Sequence, residues 1–293
     1  MAMLRSAIFR IPTTEDPKNW RPHLLVLSGA PTRRWPLIDL ASSLTHGRGL
    51  FTVASILPEG SRDAARRGKL EATVRDYLSR RGVQALVRLT TADDVFTGSE
   101  QLVEAYGLGP LAPNTILVGA NVDPANRERY CRMLRRVHEA RRNVVVLRVD
   151  PERGFGERRR IHVWWGGLQR NGGLMIILAY LVRISAAWPG SELSVKLVVN
   201  DPAGAEPARR NIEDTIEGLR IGTDVEVLVS GGRPFPEILR ESSSDADLVF
   251  LGMAEPEEDF ATYYAQLQER SQGLPAVAFV LAAQDLDFAQ MLE

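Results

Sequence analysis

The sequence is poor in the groups that usually carry chemistry. Its 293 residues include one cysteine and four histidines. A single thiol, Cys131, excludes an internal disulfide, and its arginine-rich helical context suits an ordinary reduced thiol of the cytosol. His23, His46, His138 and His162 have no metal-ligand spacing to one another, to the cysteine or to an acid pair. His23 and His162 open strands, where solvated or edge histidines are expected. Gly-x-Ser-x-Gly is absent, so there is no nucleophile elbow. No catalytic residue and no metal site are expected. The formal net charge is −1, which gives no global attraction to nucleic acid. The longest apolar run, residues 173–182, ends at Arg183. Ten helical residues rise about 15 Å, half of a bilayer core that needs ~20. The start, MAMLRSAIFRIP, lacks the long apolar core and cleavage site of a signal peptide.

Phosphate-binding loops are also missing. Gly172-Gly173 is followed by Leu174 and Met175, not by the Lys-Ser/Thr that meets phosphate and magnesium. Ser28-Gly29-Ala30-Pro31 follows a strand but lacks G-x-G-x-x-G. A five-stranded α/β pattern also suits nucleotide-binding stress-type proteins, whose glycines cradle phosphates after the fourth strand. Neither ANVDPANRER after Gly119 nor MAEPEEDF after Gly252 has the second glycine, and acids at 255, 257, 258 and 259 repel phosphate. No cofactor and no tight nucleotide site are expected.

What is present is alternation. Short β-branched runs, HLLVLSG, LFTVASIL, ALVRL, TILVGA and NVVVLRV, are separated by amphipathic helices such as WPLIDLASSLT, LEATVRDYLSRR and ERYCRMLRRVHEARR. Strand-helix alternation argues for a parallel sheet with helices on both faces. The order then repeats with HVWW, SVKLVVN, VEVLVS, DLVFLGM and PAVAFVLAA. NTILVGA and DLVFLGM correspond, and Gly119 and Gly252 each end a fourth strand where the chain turns sharply or approaches something closely. The fold class is α/β: two consecutive doubly wound domains, stacked, each with a five-stranded mainly parallel sheet of universal-stress-protein type, related by an internal pseudo-repeat. Residues 1–19 form a connector, 20–150 the first domain, 151–160 an aperiodic linker and 161–293 the second domain.

Three charge or hydropathy features stand out. Acids at Asp93-Asp94 and in EPEED (255–259) suit the first turns of helices, where they offset the dipole. Arg127, Arg129, Arg132, Arg135, Arg136, Arg141 and Arg142 make one helix basic. That face is either solvated and paired with Glu128 and Glu139, or a patch for anionic lipid headgroups or an acidic partner. The helix 173–188 is apolar on nearly all sides, so its outer side must be covered by the other domain or by another chain. Met175, Tyr180, Ile184 and Trp188 are the candidate self-association surface.

Several stretches together resemble one family. Asn19-Trp20-Arg21-Pro22 running into HLLVLSGAP, LTHGRGLFTVASILPEG, and GLGPLAPNTILVGA with Pro113-Asn114-Thr115 and Gly119 are similar to the cytosolic C-terminal domain of cation-chloride cotransporters. So are Trp164 with Gly172-Gly173 and the apolar helix, and DADLVFLGM with Gly252. The likeness runs through nearly the whole chain in order. It implies a non-catalytic regulatory domain at the cytoplasmic face of the membrane, in a protein that moves chloride with sodium, potassium or both. It implies pairing as a homodimer and contact with the transmembrane domain of the same transporter. The family's ion sites lie in that membrane part, so no ion ligand carries over. Short loops suggest a prokaryotic member without the long phosphoregulated insertions of animal members.

Overall fold

The computed structural model describes residues 9–10, 20–47, 49–58, 63–166, 169–217 and 222–283. Asn19 and most of the 1–19 connector lie outside the described residues.

The first half runs β1 (His23–Leu27), α1 (Trp35–Thr45), β2 (Leu50–Leu57), α2 (Ala64–Arg80), β3 (Leu86–Thr91), α3 (Val95–Ala105), β4 (Thr115–Gly119), α4 (Arg127–Glu139) and β5 (Asn143–Val149). The second runs β6 (Arg160–Trp164), α5 (Gln169–Arg183), β7 (Glu192–Val199), α6 (Ala205–Glu217), β8 (Asp224–Val229), α7 (Phe235–Ser242), β9 (Leu248–Gly252), α8 (Phe260–Arg270) and β10 (Ala276–Leu281). Local chemistry sets these limits. Pro36 sits in the first turn of α1, where its missing N–H costs nothing. Asp63 caps α2 through the Ala65 and Arg66 N–H groups, and Asp94 caps α3 through Thr97 N–H at 2.9 Å. EPEED precedes α8 rather than filling its first turn, and Asp259 at the N-cap makes no capping bond.

The two halves are not stacked. They form one ten-stranded sheet, ordered β3-β2-β1-β4-β5-β10-β9-β6-β7-β8. Within each half all pairs are parallel, and the halves meet through the antiparallel pair β5–β10, from Ala276↔Val149 to Leu281↔Val144. Both of these strands are mainly apolar and largely buried, so an open edge on either would expose apolar surface and unpaired backbone together.

The register confirms the pseudo-repeat. β4 lies between β1 and β5, and β9 between β6 and β10. Gly119 and Gly252 end these equivalent strands. Each faces the first helix region of its own half: a Cβ on Gly119 would lie 3.3 Å from Arg34, and one on Gly252 3.3 Å from Asn171.

The elements that meet across the seam are equivalent ones: β5 with β10, α1 with α5, and α4 with α8. This is the geometry of an isologous contact, with the same surface used on both sides. Two hydrophobic layers, one on each face of the sheet, run continuously through both halves. The outer strands β3 and β8 have partners for their backbone from neighbouring helices. Glu71 on α2 accepts from Leu89 N–H at 3.0 Å, and Arg209 on α6 donates to the Val225 carbonyl. Such side chains blunt a sheet edge against further pairing.

Candidate functional site

Residues 151–160, expected as an aperiodic linker, are held at several points. The Asp247 carboxylate accepts from Glu157, Arg159 and Arg160 N–H at 3.0, 2.6 and 3.0 Å. Phe155 is buried with its ring 5.8 Å from that of Trp188. Arg158, at φ 58°, forks onto Asp39 of α1 at 2.5 and 3.3 Å. The segment therefore ties the second half back onto the first.

This packing decides the excess apolar surface of α5. Met175 and Trp188 are buried inside the chain, and Trp188 lies in the turn after α5, not on the helix. The cover is the other half, through α1. Of the expected self-association surface only Tyr180, half-buried, and Ile184, 41% exposed, reach solvent.

Three polar residues that the motifs did not single out hold elements together: Asn143 and Arg148 across the seam, and Asn171 within the second half. Asn171, near the start of α5, donates to the Met253 carbonyl at 2.7 Å and accepts from Ala282 N–H at 2.8 Å. It joins a helix to the ends of β9 and β10. Asn143 accepts from Ala283 N–H at 3.0 Å. Arg148 on β5 donates to the Gln268 and Ser271 carbonyls at the end of α8, the negative end of that helix. Burial pulls the Arg148 pKa down, and the Tyr264 and Asp150 charges push it back up. The one sequence signal was a polar Asn immediately before Gly172-Gly173.

The motif residues serve the same architecture. Asn114 accepts from His23 N–H at 3.1 Å and donates to the Arg21 carbonyl at 2.8 Å. Thr115 donates to Asn114 at 2.9 Å. Trp20 packs on the core and Pro22 is buried beside them, so Trp20-Arg21-Pro22 and Pro113-Asn114-Thr115 form one clasp at the entry to β1. A Cβ on Gly172 would lie 2.6 Å from the Trp165 ring, so glycine is what lets that ring lie on α5. Gly173 follows it in α5, half-buried. Trp164 donates to Ser243 Oγ at 2.9 Å.

His162 is neither solvated nor at an edge. β6 is flanked by β7 and β9, and His162 is buried with Nδ1 3.0 Å from Ser243 Oγ. Burial, then the Lys196 charge, pulls its pKa down to about 4. His23 is also lowered, first by burial.

The arginine helix is α4 with the turn beyond it. Arg129 pairs with Asp94 at 2.5 Å rather than with Glu128, Arg136 pairs with Glu139 at 3.0 Å, and Arg135 donates to the Glu257 carbonyl. Burial raises the Asp94 pKa, but Thr97 and Arg129 outweigh it and hold it below the usual carboxylate range. Cys131, on the inner side, is pushed up to about 12 by burial and then by Glu128, which makes it inert as a nucleophile.

Each half has a crevice at the carboxyl end of its fourth strand, beside the start of its first helix, and the first one is closed on one side by residues 272–274 of the second half. Ligands of open α/β sheets sit at such points. The first, about 550 Å³, is lined by Arg33, Leu37, Gly119, Val122, Arg148 and Leu274. The second, about 170 Å³, is narrowed by Trp164, Trp165 and Phe235. Asp150 lines the first and is held low by the Glu152 and Arg153 N–H groups that it caps. The lining sets Arg33, Arg34 and Arg148 beside apolar side chains and the Asp150 carboxylate. Among the described residues no cluster of His, Cys, Asp or Glu could hold a metal ion, and no helix is long and apolar enough to cross a membrane.

Comparison with known proteins gives these features a context. Residues 34–156 match the family model of solute carrier family 12. Solute carrier family 12 member 3 of Pseudopleuronectes americanus is 25% identical over 268 residues, covering 72% of this chain and 25% of that protein. The Mus musculus protein of the same name is 26% identical over 210 residues, covering 61% of this chain and 21% of its own length. The chain thus spans about a quarter of these relatives. Among solved structures, the cytoplasmic domain of a prokaryotic cation chloride cotransporter superposes with TM-score 0.68 at 18% identity, covering 94% of this chain and 100% of that one. A universal stress protein from Archaeoglobus fulgidus superposes with TM-score 0.51 at 15% identity, covering 88% and 95%. Family model, curated relatives and fold agree with the resemblance read from the motifs: this chain is similar to the solute carrier family 12 proteins and has the fold of the cytoplasmic domain of a prokaryotic cation chloride cotransporter.

Proposed function

We propose that the chain is a non-catalytic regulatory and dimerising domain on the cytosolic side of a cation-chloride cotransporter. Residues 1–19 lead towards the transmembrane domain, which is its partner together with a second copy of itself. Residues 20–150 and 161–293 are its two α/β domains, joined by 151–160. The observation that carries this reading is the likeness to a cotransporter's cytoplasmic domain along 94% of the chain. The site chemistry supports it too, since the polar residues singled out above tie elements together and none is poised for turnover. Two measurements test it. Chloride-dependent rubidium uptake is compared in cells making the membrane part with and without this chain. A change in flux at equal surface amount is expected, and an unchanged flux removes the regulatory role. Sedimentation from micromolar to near-millimolar concentration should show a dimer; a monomer throughout removes the pairing role.

A second reading rests on the open crevice beside Gly119, which suits a small-ligand or nucleotide sensor of the stress-protein kind. Arg34 stands against Gly119, in the space beside the strand end. Calorimetry with ATP is expected to show no tight binding, and low-micromolar affinity would promote this second reading.

A further inference from the structure

The internal repeat allows each surface position to be compared with its equivalent in the other half. Across the starts of β1, β2 and β3 one face carries His23, Leu50 and Leu86; the equivalent row on β6, β7 and β8 is Arg160, Glu192 and Asp224. The fold therefore accepts full charge at these positions. The first half nevertheless leaves Leu50 49% and Leu86 55% exposed.

The next loop at this end adds a third leucine. Tyr106 Oη lies 2.9 Å from Thr52 Oγ1, which places the loop's start over the same face of β2. Two residues on, Leu108 is 80% exposed. Gly107 and Gly109 flank it at φ 117° and 54°, conformations that side chains avoid, and a Cβ on Gly107 would lie 2.5 Å from Ala112 Cα. Leu111 N–H closes onto the Leu108 carbonyl at 3.0 Å. The loop is thus a fixed device that holds a leucine outward.

Three arginines stand at this end of the half, along with Glu104 in the last turn of α3 and Glu139, which pairs with Arg136, in the last turn of α4. Arg141 and Arg142 stand in the turn that leads into β5, Arg142 close enough to His23 to depress its charge, and Arg88 follows Leu86 on the same face of β3. Acids 255–259 lie at the same end of the sheet but beyond the second half's β9, so the basic surface is confined to the first half. An apolar tip with arginines at the same end of the half fits an interface where acyl chains lie beneath phosphates.

We propose that this end of the first half docks on an anionic lipid bilayer, with Leu108 entering the headgroup region beside Leu50 and Leu86, and Arg141 and Arg142 meeting the phosphates. This moves the lipid contact off α4, where Arg129, Arg135 and Arg136 already have partners within the chain. The inference stands on the surface itself and goes beyond the regulatory reading.

The test is co-flotation of the full chain with vesicles of phosphatidylcholine alone or with about one-third phosphatidylglycerol, at low and high salt. Binding is expected to the anionic vesicles only and to weaken with salt. Arg141→Gly, which suits the φ of 58° there, combined with Arg142→Gln should lower partition about twenty-five-fold, at about fivefold per arginine. Leu108→Ser should lower it severalfold, and Arg132→Gln on the outer face of α4 should leave it unchanged. No binding to anionic vesicles, or equal loss from Arg132→Gln, overturns the proposal. So does a chain that ignores vesicles but loses self-association with Leu108→Ser, which would assign the surface to a second copy. Thermal unfolding of each variant separates surface effects from misfolding, and the flux assay above is independent of all these outcomes.

Discussion

Acidification should cost this protein stability through His162 before its carboxylates titrate. Ser243 Oγ accepts from Trp164 Nε1–H at 2.9 Å and lies 3.0 Å from His162 Nδ1. The trio is satisfied when the Ser243 hydroxyl donates to an unprotonated Nδ1. Protonation makes Nδ1 a donor and leaves that hydroxyl without its acceptor, in a site where Ser243 is fully buried. Burial acts first, the Lys196 charge adds to it, and Asp245 and Glu226 oppose it, leaving a pKa of about 4 against an ordinary 6.5. Between these values the unfolded chain holds a proton that the folded chain does not. Stability therefore rises with pH through this window and is lost as pH falls through it. At about 1.4 kcal/mol per unit the full effect is about 3 kcal/mol. The assay is urea unfolding at about pH 7 and about pH 4.5 for the parent and for His162→Asn, whose amide can take the place of Nδ1. Comparing the pH dependence within each protein cancels the packing cost of the substitution. The parent should lose about 2–3 kcal/mol more than the variant across the interval. Parallel losses would refute the reasoning, because His23, also depressed, acts equally in both proteins.

Three further outcomes follow from contacts that tie the elements together. Asn171→Ala strands the Met253 carbonyl and the Ala282 N–H and should cost about 2–4 kcal/mol by urea unfolding; a cost near zero would mean that neither bond matters. Gly172→Ala should cost about 1–3 kcal/mol through the Trp165 ring, whereas Gly166→Ala, which meets nothing within 4 Å, should be much milder. A double-mutant cycle on Arg158 and Asp39 should give a coupling of about 1 kcal/mol that shrinks with salt, and no coupling would mean that the linker is held by Phe155 and Asp247 alone.

The sequence by itself determined the elements and their repetition. Period-two and period-3.6 patterns are local, and burial on one face writes them into the chain, so TILVG and LVFLG could be matched and both glycines placed at strand ends. It also determined that α5 needs cover on several sides. Only the tertiary structure decided what covers it. A helix buried by its own repeat and one buried by a second copy have the same composition, and the contact with α1 joins residues far apart in the chain. The same holds for the seam. β5 and β10 read as buried strands, but nothing local states that they pair antiparallel and make one sheet of two. That choice moved Met175 and Trp188 from an expected interface into the core, while the strand order within the second half placed His162 on an interior strand. The fold likewise gave Asn143 and Arg148 their partners across the seam and Asn171 its partners within the second half, because a polar side chain's role depends on which backbone groups arrive opposite it, and those arrive only with the fold.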